Sequence, residues 1–245
     1  MSILKRIFLS ILLLAVAAYL IVAITAFSKK PEGMVCEDIE LVSVDSTEAG
    51  FITKREILNL LGTNKQNPIG KNLDSINTIK MEQIIAGHPA IKRVDCFRTP
   101  SGKIGIDIEQ RIPVLRVMAS NGDDYFLDGE GSIIPARRNI AHLAVVTGRV
   151  NKEFASQQLY KFGLFLQENE FWNSQIEQIN VVSGNNIELV PRVGDHLIYM
   201  GQLNGYEHKL ERLKKFYQKV LNEVGWNKYS MINIEFSNQI VCTKR

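Results

Sequence analysis

Between Ile7 and Phe27 the chain runs for 21 residues on Ile, Leu, Ala, Val, Phe and Tyr, interrupted only by Ser10 and Thr25 and free of charge. At about 1.5 Å of rise per residue a helix of that length covers roughly 30 Å, the thickness of a bilayer's hydrocarbon core. Helical pairing satisfies each backbone N–H and C=O inside the segment, as a solvent without water requires. The stretch therefore reads as a single transmembrane helix. A cleaved signal peptide is the competing reading, but its apolar region is usually about 7 to 15 residues and ends in an A-x-A-like site. Here Ile24-Thr25-Ala26 puts a bulky residue where a small one is preferred. Lys5 and Arg6 flank one end and Lys29 and Lys30 the other, so the flanking charges tie. A stub of residues 1–6 stays easily in the cytoplasm, and the bulk of the chain is then expected outside.

Composition narrows what that bulk does. Four of the 29 basic residues lie in the first 30 positions, which hold no acidic residue, so 25 basic face 26 acidic side chains in the rest. No basic field remains that would call for nucleic acid. Three cysteines, Cys36, Cys96 and Cys242, have neither metal spacing nor the even count of a disulfide scaffold. Cys96 and Cys242 sit in apolar alternation as small hydrophobes; a Cys36–Cys96 bridge in an oxidising compartment is the alternative.

Residues 28–37, with Pro31 and Gly33, read as a linker, and folded structure is expected from about Asp38. Ile39 to Val44 favours a strand, followed by turn-rich 45–50. Thr53 and Glu56 form a capping-box pair ahead of Ile57, Leu58, Leu60 and Leu61, a helix that Gly62 is expected to end. Ile76, Ile79, Met81, Ile84 and Ile85 predict a second helix from about Ser75, closed by Gly87-His88-Pro89. Strands over 91–98 and 103–109, joined by Thr99-Pro100-Ser101-Gly102, predict a hairpin.

The resulting order, β-α-α-β-β, resembles a POTRA domain. The strings Gly70-Lys71-Asn72-Leu73, His88-Pro89-Ala90-Ile91-Lys92-Arg93-Val94 and Gln110-Arg111-Ile112-Pro113-Val114 resemble those of the FtsQ/DivIB cell-division proteins, with Gln110 where that family usually has Glu. Beyond Pro113, short strands and turns follow: 114–118 and 125–127 around Ser120-Asn121-Gly122-Asp123, then Asp128-Gly129-Glu130-Gly131-Ser132, similar to the family's strand-turn-strand, and a strand at 143–148. Phe154, Leu159, Phe162, Phe165 and Leu166 predict a helix over 152–168. Strands are expected at 176–181, 186–190 and 196–200. Tyr206, Leu210, Leu213, Phe216, Tyr217, Val220, Leu221 and Val224 form the stripe of a helix over 205–224, capped by Asn204 and stopped by Gly225. A β-favouring run closes the chain at 229–242, broken only by Ser237-Asn238. The expected fold is α+β: a transmembrane helix at 7–27, a POTRA-like domain at 38–112, and a mostly antiparallel β domain with packed helices at 113–245.

No catalytic constellation emerges. His88, His142, His196 and His208 share no metal spacing with one another or with a cysteine. Asp123, Asp124 and Asp128 stand among turn residues and lack the ligand alternation of a calcium loop, and Gly129 and Gly131 are not followed by Gly-Lys-Ser/Thr. Arg137-Arg138 and the helix cations Lys209, Arg212, Lys214, Lys215 and Lys219 read as a wet face. Neither a cofactor, a metal nor a small-molecule substrate is expected, and the chain reads as non-enzymatic.

The family resemblance implies a bitopic scaffold in the inner membrane at the division septum. It implies binding of FtsB/FtsL-like (DivIC/DivIL) coiled-coil partners through the end of the β domain, control of septal peptidoglycan synthases, and contact with upstream division proteins. Carried onto this chain, the partner surface is Tyr229, Ile234, Phe236, Ser237, Asn238, Gln239, Ile240 and Val241. Asn233 and Glu235 stand where many relatives have Asp and Arg. The alternatives are another POTRA-type envelope assembly or secretion protein, and a membrane-anchored hydrolase.

Overall fold

The computed structural model describes residues 3–28, 33–44, 52–136 and 143–245, with no side-chain detail at 3–7, 9, 24–28, 43 and 44. The 45–50 turn, Arg137-Arg138, His142 and positions 29–32 of the linker lie outside these. Helix α1 (Ile3–Ser28) starts ahead of the apolar run and includes Lys5 and Arg6. Its consecutively described side chains, 10–23, rise over roughly 21 Å. Among the described residues no helix is long and apolar enough to cross a membrane.

The linker ends sooner than its composition implies. Cys36 donates its N–H to Lys71 O and accepts from Gly70 N, Leu73 N bonds Met34 O, and Cys36 is fully buried. Positions 34–37 thus pack as an extended segment against the Gly70–Leu73 string. From there β1 (Ile39–Val44), α2 (Lys54–Thr63), α3 (Thr78–Ala86), β2 (Ile91–Arg98) and β3 (Ile104–Gln110) build a three-stranded sheet in the order β1-β3-β2. β1 runs parallel to β3, and β2 antiparallel to it. The helices close one face over Ile57, Leu61, Met81 and Ile85, all at 0 % exposure.

Thr53 caps α2 through the expected reciprocal box with Glu56. Gly62, however, does not end the helix: Asn64 caps Leu60 O with both backbone and side chain, and the positive φ falls on Lys65 at 57°. The second helix begins at Thr78, not Ser75, because Asn77 Oδ1 accepts from Lys80 N while Ile76 is extended and 73–75 forms a 3-10 turn. Ile79 accordingly faces out, 65 % exposed.

The second sheet holds β4 (Pro113–Ala119), β5 (Asp124–Asp128), β6 (Ile133–Pro135), β7 (Ala144–Gly148), β8 (Ile176–Val181), β9 (Ile187–Pro191), β10 (Leu197–Gly201), β11 (Tyr229–Asn233) and β12 (Val241–Lys244). Its order is β12-β11-β10-β9-β8-β7-β4-β5-β6. Antiparallel junctions dominate, but β4–β7, β7–β8 and β10–β11 are parallel. A parallel neighbour needs a long crossover. The helices at 152–168 and Glu170–Gln175 supply it between β7 and β8, and the helix at 206–224 between β10 and β11. Both crossovers pack into one core through Phe162, Leu166, Trp172, Leu210, Leu213 and Tyr217, with the Phe162 and Tyr206 rings edge to face at 5.1 Å. Gly163 permits the close approach of helix to sheet, since a Cβ there would lie 2.3 Å from Leu115 Cγ.

The two sheets meet at a small junction. Ala90, from the His88–Val94 string, is buried with Phe126 and Ile134, and its carbonyl accepts from Arg111 N. Asp128, 3 % exposed, accepts from Glu130 N and Ser132 N through Oδ1 and from Arg111 Nη1 at 2.7 Å through Oδ2. Lys92 lies 3.2 Å from both Glu109 and Glu130. The domain-exit string therefore serves as a strut between the sheets.

Candidate functional site at the C-terminal sheet edge

The last strand spans four residues and alternates at its start: Val241 and Thr243 are exposed and Cys242 turns inward. β12 pairs antiparallel with β11 through Tyr229–Lys244, Met231–Thr243, Ile232–Cys242 and Asn233–Val241. Its other side carries no strand among the described residues. Such an edge leaves alternate N–H and C=O groups available to an added strand.

The expected partner residues divide in three. Phe236 and Val241 are 44 % and 45 % exposed, and Ser237, Asn238 and Gln239 are also exposed. Tyr229 and Ile240 are half-buried against the core, the Tyr229 ring 6.2 Å from that of Phe216. Ile234 offers no surface: it is fully buried, its N–H donated to Tyr199 O at 2.9 Å, and it anchors the loop from beneath. Asn233 Oδ1 accepts from Glu235 N and so ends β11 with a side-chain turn, while the Glu235 side chain lies over Gly201. Those two positions are occupied by local structure.

The helix cations are not uniformly wet. Lys209 is 8 % exposed and donates to Met200 O, Gln202 O and Asn204 Oδ1 at 2.9–3.1 Å. Burial lowers its pKa, though the ammonium stays partnered. Asn204 is thereby used up, and the helix starts from Gly205 without a side-chain cap. Arg212, half-buried, donates to Phe236 O at 2.6 Å, Ser237 O at 2.7 Å and Gln239 O at 2.7 Å. Both roles escaped the sequence reading. Lys209 sits three residues after Tyr206 and four before Leu213, hence inside the apolar stripe, and that spacing was the available signal.

Elsewhere the polar residues build structure. His196 is 1 % exposed, its Nε2 2.8 Å from Tyr217 Oη, and burial lowers its pKa. His88 Nδ1 accepts from Ala90 N, and His208 is exposed. Asp123 pairs with Lys152 and Asp124 with Arg116. No group of three His, Cys, Asp or Glu residues among those described is arranged to hold a metal. All three cysteines are free, so Cys36 and Cys96 are not bridged, and burial pushes the Cys96 thiol up to about 12. A cleft of about 470 Å³ opens at the sheet junction, lined among others by Lys92, Arg111, Ile112, Glu130, Leu164 and Glu168.

Fold and edge together define an α+β protein with a small β-α-α-β-β unit followed by a mixed sheet whose terminal strand is open. Residues 34–109 match the POTRA-like domain, and residues 112–243 match the family described as FtsQ/DivIB, C-terminal related. The second match covers more than half of the chain, and the chain belongs to the FtsQ/DivIB family. It is similar to the cell division protein FtsQ of Rhodothermus marinus, 24 % identical over 183 residues. That similarity covers 64 % of this chain and 62 % of the relative, so the chain matches under two thirds of the relative's length.

Proposed function

We propose that the chain is a non-enzymatic, bitopic scaffold of bacterial cell division, held in the cytoplasmic membrane by 7–27 with its N-terminus inside. The POTRA-like domain, 38–112, stands next to the bilayer, and the β domain, 113–245, presents its C-terminal edge to FtsB/FtsL-like coiled-coil partners. By gathering them it regulates septal peptidoglycan synthesis. Tethering in one membrane raises effective concentration, so modest contacts suffice.

The observation that carries the reading is β12 itself, which among the described residues has no strand on its outer side, with Val241 at its start and Phe236 in the preceding loop both exposed. The anchor is supported by α1, one continuous helix of 26 residues on which Leu14 and Tyr19 are 70 % and 73 % exposed, a surface suited to hydrocarbon. The test is binding of the full-length chain, in detergent or nanodiscs, to the FtsB-like protein of the same organism. Phe236→Glu with Val241→Glu is expected to weaken binding at least tenfold, and Val193→Glu, equally exposed but remote in sequence, to leave it unchanged. Unaltered affinity in the double variant would refute the edge. A fluorescent fusion is expected at midcell; an even distribution would favour another envelope assembly role.

A further inference from the structure

The loop that carries Phe236 has little to hold it. Between Asn233 and Val241 only Ile234 is fully buried, and residues 235–239 are all exposed. A loop of this length bearing exposed side chains samples many conformations unless its backbone is fixed. Three of its carbonyls are fixed by one side chain. Arg212 Nη1 reaches Phe236 O and Ser237 O, and Nη2 reaches Gln239 O, all at 2.6–2.7 Å. A guanidinium holds its donors in a rigid planar fork, which a lysine ammonium cannot reproduce.

Arg212 is itself placed with care. It lies one turn after Lys209, whose ammonium ties Met200 O and Gln202 O, the end of β10 and its exit, to the same helix. It lies four residues before Phe216, which packs on Tyr229 of β11. The helix at 206–224 thus clamps both ends of the β10–β11 crossover, and Arg212 extends the clamp past β11 to the loop leading into β12.

We infer that Arg212 is the positioning residue of the C-terminal edge: it holds the 234–240 loop in the one shape that leaves Phe236 outward and β12 in register to accept an added strand. This rests on the edge reading above and assigns Arg212 no contact with the partner. With the pin removed, the loop must be ordered at the moment of binding, which lowers affinity without removing any contact residue.

The experiment compares full-length wild type, Arg212→Lys and Arg212→Met by hydrogen exchange and by affinity for the FtsB-like protein. The expected result is faster exchange in Arg212→Met at amides 235–242, with β8 and β9 unchanged, and at least a tenfold loss of affinity. Arg212→Lys is expected in between, since one ammonium replaces some of the three bonds. Unchanged exchange over 235–242 in Arg212→Met would overturn the pin. Faster exchange with wild-type affinity would overturn its role in binding. If the Phe236→Glu, Val241→Glu variant also binds as wild type, the edge reading fails, while the exchange data still decide whether Arg212 orders the loop.

Discussion

Asp128 offers the sharpest quantitative test of the junction. Its carboxylate is nearly inaccessible and fully engaged: Oδ1 takes the Glu130 and Ser132 N–H groups at 2.9 and 2.7 Å, and Oδ2 takes Arg111 Nη1 at 2.7 Å. Asp128→Ala removes all three acceptor contacts and leaves a guanidinium, 20 % exposed, without its closest anion. Hydrogen bonds to a charged group contribute about 1.5–3 kcal/mol each, and breaking a buried pair costs about 3–5 kcal/mol when nothing relaxes. Glu130, 3.3 Å from the same guanidinium, offers partial compensation. The expected loss is therefore about 3 kcal/mol. Asp128→Asn keeps a neutral oxygen for the two N–H groups but loses the charge and sets an NH2 donor against Arg111 Nη1 in place of the accepting Oδ2, so the pair is lost while the turn is kept and about 2 kcal/mol is expected. Urea unfolding of the purified chain followed by tryptophan fluorescence measures both, because Trp172 and Trp226 lie in the nine-stranded unit. Equal losses in the two variants, or a loss below about 1 kcal/mol in Asp128→Ala, would refute the assignment of the turn N–H groups and the ion pair as separate contributions.

Three further outcomes are expected. His196 has a lowered pKa in the folded state, so the folded protein binds fewer protons than the unfolded one. Its contribution is then complete above about pH 6.5 and declines as pH falls below that value, with a slope that one proton limits to at most about 1.4 kcal/mol per pH unit; unfolding titrations should find that slope reduced in His196→Gln. Gly163→Ala gains about 1 kcal/mol in helix propensity, but its Cβ would lie 2.3 Å from Leu115 Cγ, so overpacking of about 1–3 kcal/mol wins and the midpoint of unfolding should drop. Thr53→Ala removes the hydroxyl that accepts from Glu56 N, leaving only the backbone half of the capping box, and should destabilise α2 by about 1 kcal/mol, seen as faster exchange of its amides, while Thr53→Ser should restore protection.

What was legible in the sequence was whatever local chemistry decides. The Thr53–Glu56 box, the Ser120–Asp123 turn, the stripe through Leu210, Leu213 and Tyr217, and the stop at Gly225 all form as their residue types require. Where two local signals competed, the stronger capping group won. Asn77 moved the start of α3, and Asn64 outlasted Gly62 because its amide reaches Leu60 O. The early end of the linker has a different cause: Pro31 and Gly33 advertise a break, but the burial of Cys36 depends on Lys71 and Gly70, about 35 residues away, which no local window contains.

The site was legible to a lesser extent, and the division follows from topology. That 229–242 is β-favouring can be read from its residues; that β12 is the edge cannot, because edge status depends on where the β10–β11 crossover deposits the pair. The same crossover determines what a cation on the 206–224 helix meets. Lys215 meets Glu211 on its own helix and stays a surface pair worth little. Lys209 and Arg212 lie on the side where the crossover brings carbonyls from β10's exit and from the loop after β11. A charge-pattern reading treats these side chains alike, since all carry one positive charge on an amphipathic helix. What separates them is the backbone opposite, and a loop with no buried residue but Ile234 makes that difference consequential: the cation that finds its carbonyls is the one able to set the shape of the edge.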